Sequence, residues 1–123
     1  MDDLIYEYTR AQALDDGVLM DVTEDAREAG FRYPVAVTAS VWAEIEAIPP
    51  KLASWQSIRG RLWDVVSTAA WRAKLCEGDE LHWTMLMDRN ENGHRVKRLR
   101  LWSKIGPGDT PAPVVTIMME GED

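Results

Sequence analysis

The apolar residues of this chain change their spacing once, near residue 80, and that change limits the folds open to it. Between Ile58 and Cys76 they recur every three to four positions; from Leu81 they alternate with polar ones. A 3.6-residue period buries one stripe of a helix, whereas a period of two buries one face of a strand. Helical segments followed by strand segments predict an α+β architecture, with N-terminal short helices plus one long helix packed on a small C-terminal antiparallel β-sheet, a meander. With 123 residues, a single domain over 1–123 is expected.

The helical part carries clear punctuation. Thr9 with Gln12 forms a capping-box pattern, and Gly17 can take the left-handed position that closes the helix. Residues 18–22 (VLMDV) read as a short strand or extended link. Thr23 is expected to cap a second short helix that ends before Gly30. After the extended segment 33–38, Thr38 caps a third helix to about Ala47, with Val41, Trp42, Ile45 and Ile48 on one face and Pro49-Pro50 as its stop. Residues 51–56 look like a linker. The longest helix is predicted from about Ser57 to Glu77, its core stripe formed by Ile58, Leu62, Val65, Val66, Ala69, Ala73 and Cys76. Trp71 and Leu75 point away from that stripe, and Gly60 suggests a close neighbour in the first turn.

In the last third, Leu81, Trp83, Met85 and Met87 alternate with His82, Thr84, Leu86 and Asp88. Leu99, Leu101 and Ile105 alternate with Arg98, Arg100, Trp102 and Lys104. A two-residue Asn92-Gly93 turn would set Trp83 opposite Trp102 and mix the two faces. A three-residue loop, Glu91 to Gly93 with Gly93 in the bulge position, sets Met85 opposite Leu99 and Trp83 opposite Leu101 and is preferred. Residues 106–109 (GPGD) form a turn, and 114–120 the third strand.

Charge is as uneven as spacing. Residues 1–46 hold eleven acidic side chains against Arg10, Arg27 and Arg32, a formal −8, while the other 77 residues sum to +1. Six of the acids cluster between residues 15 and 28: Asp15, Asp16, Asp21, Glu24, Asp25 and Glu28. Such a pole attracts cationic surfaces and repels nucleic acid, so direct nucleic-acid binding is disfavoured. Either the segment merely keeps the chain in solution, or its carboxylates imitate a phosphate backbone and occupy a partner's basic groove, with Trp71, and Trp55 in the linker, as apolar anchors. The six Trp residues favour a recognition surface, and exposed Trp and Met on the sheet would leave a homodimer open.

Nothing points to catalysis, and the chain is expected not to be an enzyme and to need no cofactor and no metal. His82 and His94 fit no nucleophile–base arrangement. The lone Cys76 is placed on the core stripe as an inert thiol; it forbids an internal disulfide and suits a cytoplasmic location. Residues 15–28 lack the spacing of a calcium loop, and the 106–109 turn lacks the Lys of a phosphate loop. No run of ~20 apolar residues exists to cross a bilayer, so no membrane partner is expected. One alternative carries chemistry of its own: Arg98, Arg100, Trp102 and Lys104 share a strand face with His82, and cations beside an aromatic ring on a sheet can stack single-stranded nucleic acid.

Finally, residues 8–22 (YTRAQALDDGVLMDV), 26–38 (AREAGFRYPVAVT) with Val41-Trp42, 59–65 (RGRLWDV), and GPGD followed by PVVTIMMEGED resemble an uncharacterised family of small proteins carried by bacterial plasmids, integrative elements and phages. The resemblance spans nearly the whole chain and implies a mobile-element accessory protein. Taken with the acidic pole, it implies an anti-CRISPR-like inhibitor or modulator whose partner is a host protein or nucleoprotein defence complex.

Overall fold

The computed structural model describes residues 8–91 and 94–122, without the side chains of 89–91, 94 and 95. Within them are four α-helices and a five-stranded sheet: α1 (Arg10–Asp15), β1 (Leu19–Asp21), α2 (Thr23–Ala29), β2 (Val35–Thr38), α3 (Ala39–Glu46), α4 (Ile58–Ala73), β3 (Glu80–Glu91), β4 (His94–Pro107) and β5 (Pro113–Met119). A 3-10 turn spans Pro50–Leu52.

Mixed helix and strand composition is as expected, but the sheet is not a C-terminal meander alone. Its order is β1-β2-β5-β4-β3, and β2 pairs in parallel with β5 while the other pairs are antiparallel. Val35, Ala36 and Val37 explain the correction. All three are buried, so β2 is covered on both faces and the extended segment expected at 33–38 belongs inside the sheet. The N-terminal segment thus supplies two strands. The β3–β4 register sets Met85 opposite Leu99 and Trp83 opposite Leu101. Its offset comes from an irregularity between Asp88 and Glu91, with Glu91 already paired to His94. The expected three-residue loop is therefore not its source; Asn92 and Gly93 lie outside the described residues.

Val35, Val37, Val115, Ile117, Leu99, Leu101, Trp83 and Met87 line one face and pack with Val22, Ala26, Val41, Ile45, Leu62, Val65, Val66 and Ala69. That closed face carries α2, α3 and α4. On the other face, Arg10 of α1 donates from its two Nη atoms to the Thr116 hydroxyl (2.7 Å) and the Val115 carbonyl (2.9 Å). The Asp109 carboxylate accepts the Arg10 and Ala11 N–H groups at 2.7 and 3.0 Å, so the turn after β4 caps α1.

Local punctuation holds in most places. Thr9 and Gln12 form the capping box, Thr38 caps α3, and Gly30 closes α2 at φ 116°. Thr23 is instead the first residue of α2. Its N–H and hydroxyl donate to Asp21, and its oxygen accepts the Val35 N–H. Helix α4 stops at Ala73, four residues short of expectation, which leaves Cys76 half-buried beyond it. Ile58 is exposed, while Leu62, Val65, Val66 and Ala69 form the buried stripe. A Cβ at Gly60 would meet only the Ser57 Oγ at 3.1 Å, the atom that caps α4, so the expected neighbour is the helix's own cap. The supposed linker is anchored by buried Leu52.

Arg61 is the largest surprise in the core, at 3% exposure. Its guanidinium donates to the Glu44 and Ala47 carbonyls (both 3.2 Å), the Asp88 carbonyl (2.5 Å) and Gln56 Oε1 (3.0 Å). One side chain therefore caps the C-terminus of α3 and ties it to α4 and β3. Burial draws its pKa below the ordinary value, opposed by the negative fields of Asp88 and Asp64.

Candidate functional site

The six clustered acids gather around one edge of the sheet. Asp15 ends α1 and Asp16 follows as its C-terminal cap, both exposed. Asp21 ends the edge strand β1, and Glu24, Asp25 and Glu28 ride on α2 across the sheet from α1. Acids in the first turn of α2 suit its positive N-terminal end. The carboxylates thus wrap the β1 edge instead of forming a patch on one helix.

Their charge is only partly answered from within. Arg59 Nη2 lies 3.8 Å from Asp25 and 4.0 Å from Glu28, with the Arg59 side chain 82% exposed. Long contacts to a solvated cation contribute about 0–1 kcal/mol and screen little of the outward field. Asp21 lies in the field of Arg10: burial lowers the Arg10 pKa, and the Asp21 and Asp109 charges oppose that shift. Asp16 Oδ2 accepts the Tyr8 hydroxyl at 2.6 Å, which leaves its charge in place. Among the described residues, no lysine or arginine forms an ion pair with Asp15, Asp16 or Glu24.

Helix α4, which packs on α2, exposes large apolar side chains. Trp63 stands one turn beyond Arg59 on the same side of that helix. Trp63 is exposed, Trp71 is 61% exposed, and Leu75 follows just past the helix end at 73%. Trp71 is accordingly free, as the amphipathic pattern suggests, and neither the 50–56 segment nor the sheet covers it. Trp55 is exposed as well. Trp63 flanks the core stripe in sequence, one turn from the Arg59 that faces Asp25 and Glu28.

The basic strand face fares differently. Arg98, Arg100 and Lys104 are exposed on β4, near the opposite edge of the sheet from β1. Trp102 is buried: it stacks on His82 (centroids 5.4 Å apart, planes 7° apart), and its indole N–H donates to the Glu122 carbonyl at 3.1 Å. The expected cation–aromatic platform is thereby dismantled, because its ring has no face left for a base. Glu122 fixes this arrangement, its Oε2 accepting the Thr38 hydroxyl (2.8 Å) and the Met119 N–H (2.7 Å). The exposed sheet Trp and Met on which a homodimer would rest are also missing among the described residues. Trp83, Met87, Trp102 and Met118 are buried, and Met85 and Met119 are half-buried.

Cys76 donates weakly to the Glu80 and Glu77 carbonyls, at 3.4 and 3.6 Å to sulfur. Among the described residues, no three His, Cys, Asp or Glu side chains converge as metal ligands, and no helix is long and apolar enough to cross a membrane.

Residues 1–123 match the family of unknown function DUF6573. The chain belongs to that family. Neither the curated proteins nor the solved structures give a match. The phrases on which the family resemblance rests turn out to hold the polar fastenings of the fold: Thr9, Arg10, Asp21, Gly30, Thr38, Arg61, Asp109 and Glu122. They fix where α1, α2 and α3 sit, and through them where the acids sit.

Proposed function

We propose that this DUF6573 member is a non-catalytic protein-binding factor whose acidic edge and helix α4 dock on a cationic surface of a partner. The observation that carries this reading is that Asp25 and Glu28 on α2 lie against Arg59 of α4, a helix that also exposes Trp63, one turn beyond Arg59, and Trp71. Carboxylates steer and orient a basic partner, and exposed indoles supply the apolar anchors that turn an encounter into a complex. An acidic surface of this kind suits a groove built for nucleic acid, where Lys and Arg already line the path. The resemblance to proteins of plasmids, integrative elements and phages favours a host defence nucleoprotein complex as that partner, with the chain as its inhibitor or modulator.

Arg59 has a defined place in this mechanism. It faces Asp25 and Glu28 as an internal counter-ion that a partner's lysine or arginine would displace. The test is affinity purification from a bacterial host with the wild type and with Asp16→Lys/Glu24→Lys/Glu28→Lys. A nucleic-acid-handling complex should be retained by the wild type and lost by the variant, with affinity falling by several kcal/mol at low salt and less at high salt. Equal retention by both proteins would rule out the carboxylates as the binding determinant.

A further inference from the structure

Where α4 ends, the closed face of the sheet opens into a cleft of about 410 Å³. Its walls are Phe31 and Tyr33 from the segment after α2, Ala70 and Ala73 from α4, and Leu81 and Ile105 from the sheet. The recess has a simple origin. Elsewhere on this face Val65, Val66, Leu99 and Leu101 meet at full size, but here α4 offers alanines and β4 offers Ser103.

Ser103 makes the cleft more than a packing fault. It lies between Leu81 and Ile117 in the ladder, on the apolar face, and is only 8% exposed. Its hydroxyl has no hydrogen-bond partner among the described residues, and it is open to the cleft rather than sealed, since the fully buried unpaired side-chain polar atom among those residues is the Trp83 indole N–H. A hydroxyl that opens into a mostly apolar recess and bonds no protein group is available to a polar atom from outside. Rim charges do not select an ion, since Arg32 and Lys74 are matched by Asp79 and Glu80. The volume falls in the roughly 300–1,000 Å³ range of small-molecule sites, which are likewise mostly apolar with a few placed polar groups.

We propose that this cleft binds a neutral, largely aromatic or aliphatic small molecule whose single hydroxyl or carbonyl bonds to Ser103. The site is separate from the acidic edge and does not depend on the function proposed for it.

The probe is 2-naphthol, neutral at pH 7, titrated into the full chain and followed by amide NMR and calorimetry. Saturable binding is expected, with the largest shifts at Tyr33, Leu81 and Ile105. Naphthalene, which lacks the hydroxyl, should bind about tenfold more weakly, and Ser103→Ala should bring 2-naphthol down to that same level. 2-Naphthoate should bind no better than 2-naphthol. Ala73→Trp, a substitution at an exposed rim position that fills the mouth, should abolish binding while the remaining amide spectrum stays native. No saturable shift at millimolar 2-naphthol, or binding that survives Ala73→Trp, would overturn the site. Equal affinity of naphthalene and 2-naphthol would overturn the role of Ser103.

Discussion

The two faces of the sheet are closed by different physics. On one, α2, α3 and α4 exclude water with branched aliphatic side chains, several of them fully buried. On the other, α1 and the C-terminal turn are held by single polar fastenings: Arg10 to Thr116, Asp109 to the start of α1, and Glu122 to Thr38 and Trp102. Apolar packing is spread over many contacts, so it sets the stability of the fold. Polar fastenings are few and directional, and they set where the surface elements, with their charges, come to rest.

This contrast is sharpest in stability measurements. Leu101→Ala on the closed face should cost about 2–5 kcal/mol in urea unfolding, since it empties a fully buried site. Arg61→Met should cost about 3 kcal/mol. It leaves the Glu44, Ala47 and Asp88 carbonyls without their shared donor, at ~1–3 kcal/mol for each group that water cannot reach. On the fastened face Glu122→Ala should cost only about 1–2 kcal/mol while raising Trp102 fluorescence accessibility to quencher, because the turn that covers the ring is released. Asp109→Ala removes a helix cap and should cost about 1 kcal/mol. Smallest of all, Arg59→Ala should change stability by less than about 0.5 kcal/mol, yet strengthen binding to a cationic partner. If Glu122→Ala proved as damaging as Leu101→Ala, the division between a packed and a fastened face would fail.

The same division separates what could be seen in the residues from what could not. Periodicity showed the α4 stripe at Leu62, Val65, Val66 and Ala69 and the cross-strand pairs of β3 and β4, because burial against water leaves a regular imprint. Caps at Thr9 and Thr38 and the stop at Gly30 were visible as local chemistry. What stayed hidden joins residues far apart in sequence. Arg61 reads as a solvated charge until α3 and β3 bring three carbonyls to it. Trp102 reads as an open platform until Glu122, twenty residues later, folds over it. β2 reads only as an extended segment outside the sheet because its parallel partner β5 arrives about eighty residues on. Of the candidate site, the acids and Trp71 were legible as exposed positions, whereas the approach of Arg59 to α2 was not.

Binding through the β1 edge requires carboxylates there that remain available to a partner. The most direct test compares proteins co-purified from a bacterial host by the wild type and by the Asp16→Lys/Glu24→Lys/Glu28→Lys variant, at low and at high salt. A nucleic-acid-handling complex held by the wild type, shed by the variant and loosened by salt is the predicted result. The same complex held equally by both proteins, or a partner whose retention ignores salt, would contradict it.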